Sequence, residues 1–202
     1  MKEHVKDVFV QRAKSDGYRS RAAYKLLEIA ARDKLLKPGM VVVDLGAAPG
    51  GWSQVAQVRV GARGLVVALD VLDMAPLPGV AFVRGDFHDE AVVKALEHML
   101  AGRKIDLVLS DMSPNISGIS MSDQARAMHL AELALEFSAQ HLKPGGNLLV
   151  KVFQGSGFQE LLRAMRARFR AVVTRKPAAS RGRSSELYLL GKGHAEGSAP
   201  KV

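Results

Sequence analysis

Short, almost wholly apolar runs alternate along this chain with longer segments of helical periodicity, and this alternation restricts the fold more than any other feature. Apolar runs without polar alternation are typical of strands covered on both faces. They predict strands at 41–45, 65–70, 80–83, 105–110, 147–153, 171–174 and 186–190. The intervening segments predict helices at 20–32, 51–59, 89–100, 122–141 and 157–168, with Ser20, Asp89 and Ser122 as N-caps. Strands and helices in alternation predict an α/β fold with helices on both faces of a sheet.

We expect one domain over the whole chain, residues 1–202, with a basic segment at 1–19 and a frayed tail at 192–202. A length of 202 residues, 48% of them apolar, suffices for a buried core. No cysteine is present, which excludes disulfides and thiolate metal sites. The first residues form no apolar signal-like run, and no stretch is long and apolar enough for a membrane span. We therefore expect a cytoplasmic protein without a membrane partner. We also expect a monomer, although the sequence itself does not show the oligomeric state.

The net charge of +9 is concentrated at the two ends of the chain. Residues 1–40 carry ten Lys or Arg against five acids, and residues 151–202 carry eleven against three. The middle, 41–150, carries eight against twelve and is mildly acidic. Basic ends around such a core indicate a surface for a polyanion such as RNA, although an ordinary solvated surface gives the same pattern.

Residues 43–53, with the sequence VDLGAAPGGWS, are the most informative stretch of the chain. A predicted strand that ends in a carboxylate runs here into a glycine-rich turn, and the turn opens a helix. Glycine lets the backbone approach a ligand where a Cβ would collide. The stretch has neither the G-x-G-x-x-G dinucleotide fingerprint nor the G-x-x-x-x-G-K-[ST] loop that cradles nucleoside triphosphates.

Two more carboxylates follow the next two predicted strands. Asp70 ends the second strand, and Asp86 comes just after the third. A carboxylate at the first position can accept hydrogen bonds from a ribose diol, and one at the second can accept a hydrogen bond from an adenine amino group. Either acid alone is more simply a helix cap or a loop residue. Together, behind the glycine-rich turn, they predict a nucleoside pocket.

Residues 44–53 resemble the cofactor motif of the FtsJ/RrmJ family of RNA ribose 2′-O-methyltransferases, and the resemblance extends over roughly residues 12–191. It implies a Rossmann-like methyltransferase fold with a seven-stranded, mostly parallel sheet whose last strand is antiparallel. It also implies S-adenosylmethionine as cofactor, bound by Gly50, Trp52, Asp70, Asp86 and Asp111. Trp52 taken alone is equally explained as a packing residue.

Four charged residues interrupt apolar patterns or stand at the mouth of the predicted sheet: Lys25, Asp111, Lys151 and Glu186. A lysine in the middle of a strand such as 147–153 costs several kcal/mol if it is left unpaired. Nearby carboxylates and a chemical role would explain it. The simpler alternative is a lysine whose stem reaches water at the end of the strand. In chain order the four match the Lys-Asp-Lys-Glu catalytic tetrad of the family, so the resemblance makes them catalytic.

The resemblance implies methyl transfer to a ribose oxygen. Residues 113–115, Ser-Pro-Asn, only loosely resemble the motif of amino-group methyltransferases, because the aromatic clamp for a planar base is missing. A hydroxyl is a poor nucleophile at neutral pH, so positioning and a general base should both contribute. Lys151 is the candidate base, with Lys25, Asp111 and Glu186 setting its charge and orientation. No His, Asp or Glu cluster has metal-ligand spacing, so no metal is expected.

We expect RNA to contact two basic clusters that precede tetrad residues. Arg19 and Arg21 form the first, and the second comprises Arg175, Lys176, Arg181 and Arg183. Ordinary surface cations are the alternative explanation. Aromatic residues make up only 5% of the chain, which disfavours broad base stacking. The RNA is therefore expected to be recognised as a preformed shape.

The resemblance implies a uridine of 23S rRNA in the large ribosomal subunit as the target, because compact family members act there. Nothing in the spacing excludes tRNA or an mRNA cap. A ribosome assembly factor that binds RNA without catalysis is an alternative of another class, although such a binder has no use for Lys151. A nicotinamide-dependent dehydrogenase shares the fold type but requires the absent fingerprint.

Overall fold

A seven-stranded sheet forms the centre of the computed structural model, which describes residues 8–87, 89–114, 120–180 and 184–195. The strands are β1 (Val41–Leu45), β2 (Leu65–Asp70), β3 (Val80–Arg84), β4 (Ile105–Ser110), β5 (Leu142–Phe153), β6 (Phe169–Arg175) and β7 (Glu186–His194). Their order across the sheet is β3-β2-β1-β4-β5-β7-β6. The first five are parallel neighbours, and β7 runs antiparallel to both β5 and β6. The predicted fold class, with its antiparallel last strand, is confirmed.

Helices cover both faces of the sheet. They are α1 (Val8–Ser15), α2 (Ala22–Asp33), α3 (Gly51–Val60), α4 (Glu90–Leu100), α5 (Ser120–His141) and α6 (Phe158–Arg168). Alternate residues of β1 point to opposite faces, so Val43 packs in the core beneath α4, α5 and α6, and Val42 packs in the core beneath α2 and α3. All five residues of β1 are buried, as its unbroken apolar run predicts.

Several predicted boundaries differ from the structure. Strand β5 begins at Leu142 rather than 147, and β7 continues past 190 to His194 because its end pairs with β6. Helix α1 has no counterpart among the predicted elements. It is short, and it is held by a small apolar cluster that includes Ala13 and Tyr24 of α2. Short helices depend on such tertiary packing, which a sequence pattern does not show.

Of the three predicted helix caps, only Asp89 is confirmed. Its side chain accepts a hydrogen bond from the Ala91 amide at 2.9 Å. The Ser20 prediction is wrong, because α2 begins at Ala22 after Arg21, and the N-cap makes no side-chain hydrogen bond. The Ser122 prediction is wrong as well, because α5 already begins at Ser120.

A buried carboxylate ties α2 to the two antiparallel strands. Asp33, whose side chain is 3% exposed, accepts hydrogen bonds from Arg175 Nε at 2.7 Å and Arg175 Nη2 at 2.8 Å. Lys192 Nζ lies 2.6 Å from the same carboxylate. The hydrogen bonds from Arg175 and Lys192 lower the pKa of Asp33 to about 2. This brace fixes α2 against β6 and β7, and α2 and β7 each supply a residue of the site.

Candidate active site

The carboxyl ends of five parallel strands meet at one edge of the sheet, and the predicted site residues gather there. Asp70 is the last residue of β2, and Asp111 follows β4 directly. Lys151 lies two residues before the end of β5. This edge is where ligands bind in open α/β sheets.

The glycine-rich loop between β1 and α3 has two glycines at positive φ, Gly46 at 74° and Gly50 at 108°. A Cβ on Gly46 would lie 2.6 Å from Met112 Cγ. A Cβ on Gly50 would lie 3.0 Å from Met74 Sδ and 3.1 Å from Arg19 Nη1. Both positions therefore exclude side chains by conformation and by contact. The atoms nearest to Gly50 belong to Met74 and Arg19, so its predicted contact with the cofactor stays a prediction.

Arg19 fastens this loop from outside. Its guanidinium donates to the carbonyl oxygens of Pro49 at 3.2 Å, Ala75 at 2.6 Å and Pro76 at 2.7 Å. Its backbone amide donates to Gln54 Oε1 of α3 at 2.8 Å. Three carbonyl groups therefore engage the guanidinium within the protein, and the predicted phosphate contact of Arg19 stays a prediction.

Asp44, at the carboxyl end of β1, is wholly buried beneath the loop. Its Oδ2 accepts a hydrogen bond from Ser53 Oγ at 2.6 Å, whereas Oδ1 has no hydrogen-bond partner among the described residues. Burial raises the pKa of Asp44 to about 7, and the charges of Asp111 and Asp70 add to this shift. The effect of those two charges shows that the three carboxylates share one electrostatic environment. From the sequence, Asp44 is only the carboxylate that ends a predicted strand, although a carboxylate after three valines is itself a signal of a site.

The two predicted nucleoside acceptors differ in their surroundings. Asp70 is 9% exposed and accepts hydrogen bonds from the amides of Ala48 at 2.9 Å and Leu72 at 2.8 Å. These bonds hold its carboxylate against the loop and leave one lone pair on each oxygen. Asp86 is exposed, just beyond the end of β3. The two acids lie at the ends of neighbouring strands, as predicted.

The structure brings the four predicted tetrad residues together as two ion pairs. Lys25 Nζ of α2 lies 2.7 Å from Glu186 Oε1 at the start of β7. Lys151 Nζ lies 3.2 Å from Asp111 Oδ1 and donates to the Asp111 carbonyl oxygen at 2.6 Å. The Lys25 and Lys151 side chains are 7% and 6% exposed. Buried ammonium groups require such partners, so Lys151 is paired inside the sheet and does not reach water along its stem.

Glu186 is held from two sides. Besides its ion pair with Lys25, it accepts a hydrogen bond from Ser180 Oγ at 2.8 Å. Burial works to raise the pKa of Glu186, but Lys25 and Ser180 outweigh it and lower the pKa below its ordinary value. Glu186 is therefore ionised at neutral pH and acts as a fixed negative charge beside Lys25.

Tyr188 joins the two ion pairs, and sequence analysis missed it. Its hydroxyl accepts a hydrogen bond from Lys25 Nζ at 3.1 Å and donates one to Asp111 Oδ1 at 2.7 Å. The side chain is completely buried. A strand tyrosine is usually a core residue, and only its place two residues after Glu186, on the same face, could have indicated the site.

Trp52 packs inside the core. It is 3% exposed, its indole Nε1 donates to the Ala22 carbonyl oxygen at 2.7 Å, and its ring centroid lies 5.6 Å from that of Tyr188. These contacts are those of a packing residue, which is one of the two explanations that the sequence left open for Trp52. The side chain thus connects the start of α3, next to the glycine-rich loop, with Tyr188.

The second predicted RNA cluster is also partly occupied by contacts within the protein. Arg175 is engaged by Asp33, because that buried carboxylate requires a counter-charge. Lys176 remains exposed, and its Nζ donates to the Ser184 carbonyl oxygen at 2.9 Å. Arg181 and Arg183 lie outside the described residues, as does Asn115.

The His, Asp and Glu residues in the described part of the chain form no group of three able to hold a metal ion. None of its helices is both long and apolar enough to cross a membrane.

Comparisons with known proteins agree on one family. A model described as FtsJ-like methyltransferase matches residues 18–194. The ribosomal RNA large subunit methyltransferase E of Nitrosospira multiformis is 66% identical over 193 residues, which cover 96% of this chain and 94% of that protein. The protein of the same name from Chromobacterium violaceum is 63% identical over 193 residues, with the same coverage of 96% and 94%.

Solved structures agree with the sheet topology. A protein described as a ribosomal RNA methyltransferase from Plasmodium falciparum has a TM-score of 0.79 and 32% identity, with 88% of this chain and 98% of that chain covered. One described as an rRNA methylase from Clostridium thermocellum has a TM-score of 0.57 and covers 84% of this chain and 97% of that chain. At 15% identity the second shows the fold alone.

Proposed function

The chain belongs to the FtsJ-like methyltransferase family, and from that premise we propose that it methylates the ribose 2′-hydroxyl of a uridine in 23S rRNA of the large ribosomal subunit. The observation that carries this proposal is the pair of buried lysine–carboxylate ion pairs beside the glycine-rich loop. Such a cluster suits proton removal from a hydroxyl. The names of relatives up to 66% identical support the choice of large-subunit rRNA.

We propose S-adenosylmethionine as the methyl donor, which supplies a methyl group already activated by a positive sulfonium. The residues at the carboxyl edge fit such a ligand. Asp44, Asp70 and Asp111 together favour a cation, and Asp44 Oδ1 is a buried oxygen without a hydrogen-bond partner in the described chain. Asp70 and Asp86, at neighbouring strand ends, suit ribose hydroxyls and an adenine amino group. Gly50 and Trp52 would contribute the loop that carries this pocket.

In this proposal Lys151, as the uncharged amine, takes the proton from the ribose 2′-hydroxyl as the new oxygen–carbon bond forms. The bond between the methyl carbon and the sulfonium sulfur of the donor breaks in the same step, and the donor leaves as a neutral thioether. Asp111 orients the amine through its carboxylate and its backbone carbonyl. Lys25 supplies an ammonium to the same cluster, and Glu186 neutralises it. A general base of this kind contributes roughly 10²–10⁴-fold, and alignment of the two reactants contributes much of the remaining acceleration.

The substitution Lys151→Ala tests this chemistry. The rate of methyl transfer from radiolabelled S-adenosylmethionine should fall by about 10²-fold or more, because the base is removed. The affinity for the donor, measured by calorimetry, should change little, because Lys151 makes its contacts with Asp111. The substitution Lys143→Ala, of an exposed lysine early in the same strand, is the matched control. Near-normal turnover in Lys151→Ala would show that Lys151 is not the general base.

The substrate is tested by offering large-subunit particles, free 23S rRNA, tRNA and capped mRNA in parallel. Methyl incorporation into large-subunit RNA, mapped by mass spectrometry to one ribose, supports the proposal. Incorporation into tRNA or caps alone overturns the proposed target and retains the chemistry. Binding to large-subunit particles without any transfer points instead to an assembly factor.

A further inference from the structure

The two ion pairs of the site meet at one phenol. Tyr188 is the register partner of Lys151 in the antiparallel pairing of β7 with β5, so the two side chains lie side by side. The Tyr188 hydroxyl accepts from Lys25 at 3.1 Å and donates to Asp111 at 2.7 Å. Through these bonds the Lys25–Glu186 pair is connected to the Lys151–Asp111 pair.

The phenol has little freedom to leave this position. The ring is fully buried and lies 5.6 Å from the Trp52 ring, centroid to centroid. Strand β7 is hydrogen-bonded on both sides, to β5 and to β6, so the backbone of Tyr188 is fixed as well. A merely apolar ring would fill the same space, so packing alone does not account for the hydroxyl.

The hydroxyl remains a donor at neutral pH. Burial, together with the carboxylates of Asp111 and Glu186, raises the pKa of Tyr188 well above its ordinary value. A phenol in that state cannot accept the proton of the substrate. Its effect on the reaction must therefore pass through the groups it contacts.

We propose that Tyr188 is a positioning residue for the methyl transfer: its hydroxyl shares the Asp111 carboxylate with Lys151 and keeps Lys25 beside Glu186. The proposal rests on the proposed function, in which Lys151 is the base. The phenol donates to Asp111 Oδ1, the same oxygen that lies 3.2 Å from Lys151 Nζ, so the two groups share one acceptor. Tyr188 thereby limits the attraction between Asp111 and Lys151 without touching the substrate.

Three further charged groups face the Lys151–Asp111 pair. They are Lys25 from α2, Glu186 from β7, and Asp44 from β1, whose carboxylate interacts electrostatically with that of Asp111. Removal of the phenolic hydroxyl leaves every one of these charges in place. Its effect on the pH dependence of the rate is therefore attributable to the lost hydrogen bonds.

The substitution Tyr188→Phe removes the hydroxyl and keeps the ring. With large-subunit RNA as substrate, kcat should fall about ten- to a hundredfold, the size expected for hydrogen bonds to charged groups. The KM for RNA and the affinity for S-adenosylmethionine should stay near their wild-type values. The rising limb of the kcat–pH profile should move to higher pH, because Asp111 Oδ1 then interacts with Lys151 without competition from the phenol.

The matched control is Tyr24→Phe, which removes a hydroxyl that donates to Asp16 at 2.6 Å outside the tetrad. It should change neither kcat nor the pH profile. If Tyr188→Phe keeps the wild-type kcat and profile, the inference is overturned. It is equally overturned if kcat falls while the pH profile stays in place, since that result describes a structural role only. Circular dichroism verifies that both variants are folded.

A second measurement does not depend on activity. In a double-mutant cycle of Tyr188→Phe with Asp111→Asn, urea unfolding of the protein without added donor should show coupling of roughly threefold or more in the unfolding equilibrium constant. The same cycle with Tyr24→Phe should show none. Absent coupling at Tyr188 overturns the inference, whether or not the wild-type protein methylates RNA. A wild-type protein that transfers no methyl group to any RNA, with the coupling present, overturns the proposed function and retains the hydrogen-bonded connection.

Discussion

Single residues at the carboxyl edge have properties that follow from their burial more than from their type. Asp44 and Asp111 are both aspartates at strand ends, yet the first is sealed beneath a loop and the second is paired with Lys151. Burial without a counter-charge penalises the ionised form, so the pKa of Asp44 is raised to about 7 and the group is partly protonated near neutral pH. One residue type thus serves two purposes within a single site.

Asp44 should make the stability of the protein depend on pH. Its pKa is about 7 in the folded protein, against an ordinary value of 3.8. Between pH 3.8 and pH 7 the Asp44 side chain is protonated in the folded state and ionised in the unfolded state. The protonated side chain therefore stabilises the fold at low pH, and this stabilisation is lost as the pH rises through 7. The wild-type protein should therefore lose stability relative to Asp44→Asn, by on the order of a few kcal/mol, between pH 4 and pH 8.

Urea unfolding of both proteins at several pH values measures this difference. Asp73→Asn, which changes an exposed aspartate, is the control and should follow the wild-type curve. Parallel curves for the wild type and Asp44→Asn across this range would show that Asp44 is ionised throughout.

Arg19 should support the donor site rather than the RNA surface. Arg19→Ala removes the three hydrogen bonds to the carbonyl groups of Pro49, Ala75 and Pro76. Because this releases the outer side of the glycine-rich loop, the affinity for S-adenosylmethionine should fall about tenfold, in line with net hydrogen-bond energies of about 1 kcal/mol. Calorimetry measures the affinity, with Lys14→Ala on exposed α1 as control. Unchanged donor affinity together with weakened RNA binding would favour the original phosphate interpretation.

At the scale of elements, the site depends on how α2 and β7 are fixed against each other. They carry Lys25 and Glu186, which lie far apart in the chain and 2.7 Å apart in space. The brace at Asp33 holds the opposite end of α2 to β6 and β7. The geometry of the ion pair is therefore stabilised by contacts well outside the tetrad.

Removal of the Asp33 charge should destabilise the fold. Asp33→Asn leaves Arg175 partly buried without its counter-charge, and a loss of about 3–5 kcal/mol is typical for breaking such a pair. The pKa of Asp33 is lowered to about 2, so its contribution is present above its ordinary value of 3.8 and is lost as the pH falls through 2.

Thermal and urea unfolding at pH 7 and pH 2 measure the effect of Asp33→Asn. The difference between variant and wild type should be large at pH 7 and should shrink by pH 2. Glu160→Gln, at an exposed ion pair with Arg163, is the control, with a change of about 1 kcal/mol or less. A difference for Asp33→Asn as small as that of this control would show that the brace contributes little.

At the scale of the whole molecule, the net charge of +9 and its placement suit a polyanionic substrate. The structure uses part of this charge internally, since Arg19 and Arg175 are engaged within the protein. Lys176 remains exposed beside the loop that leads to Glu186. Among the predicted RNA-binding cations that the structure describes, Lys176 is thus the one left exposed, and it bonds to Ser184, two residues before Glu186.

A charge reversal at Lys176 should weaken RNA binding in a salt-dependent way. In Lys176→Glu the dissociation constant for large-subunit RNA should rise, and the slope of its logarithm against the logarithm of salt concentration should decrease by about one. Lys104→Glu is the matched control, because Lys104 is exposed just before β4, at the amino edge of the sheet. Filter binding across a salt series measures both. Equal effects of the two substitutions would indicate non-specific attraction only.

Periodicity and local spacing alone determined much of this protein. The approximate positions of the strands, the glycine-rich loop and the capping of α4 by Asp89 could all be predicted from residues close in the chain. The tetrad was recognisable because charges within apolar patterns are costly and its members matched a family in order. Lys151 is the clearest instance, because a lysine inside a buried strand requires a charged or hydrogen-bonding partner.

Only the tertiary structure decided which partner each charged or polar group takes. Tyr188 and Lys25 are 163 residues apart, and Arg175 and Asp33 are 142 apart, so no local pattern shows their bonds. The same holds for Arg19, which the sequence places in a basic cluster and the fold turns toward three carbonyl oxygens. Hydrogen bonds depend on distance and direction between atoms, and these are set when the sheet brings remote segments together.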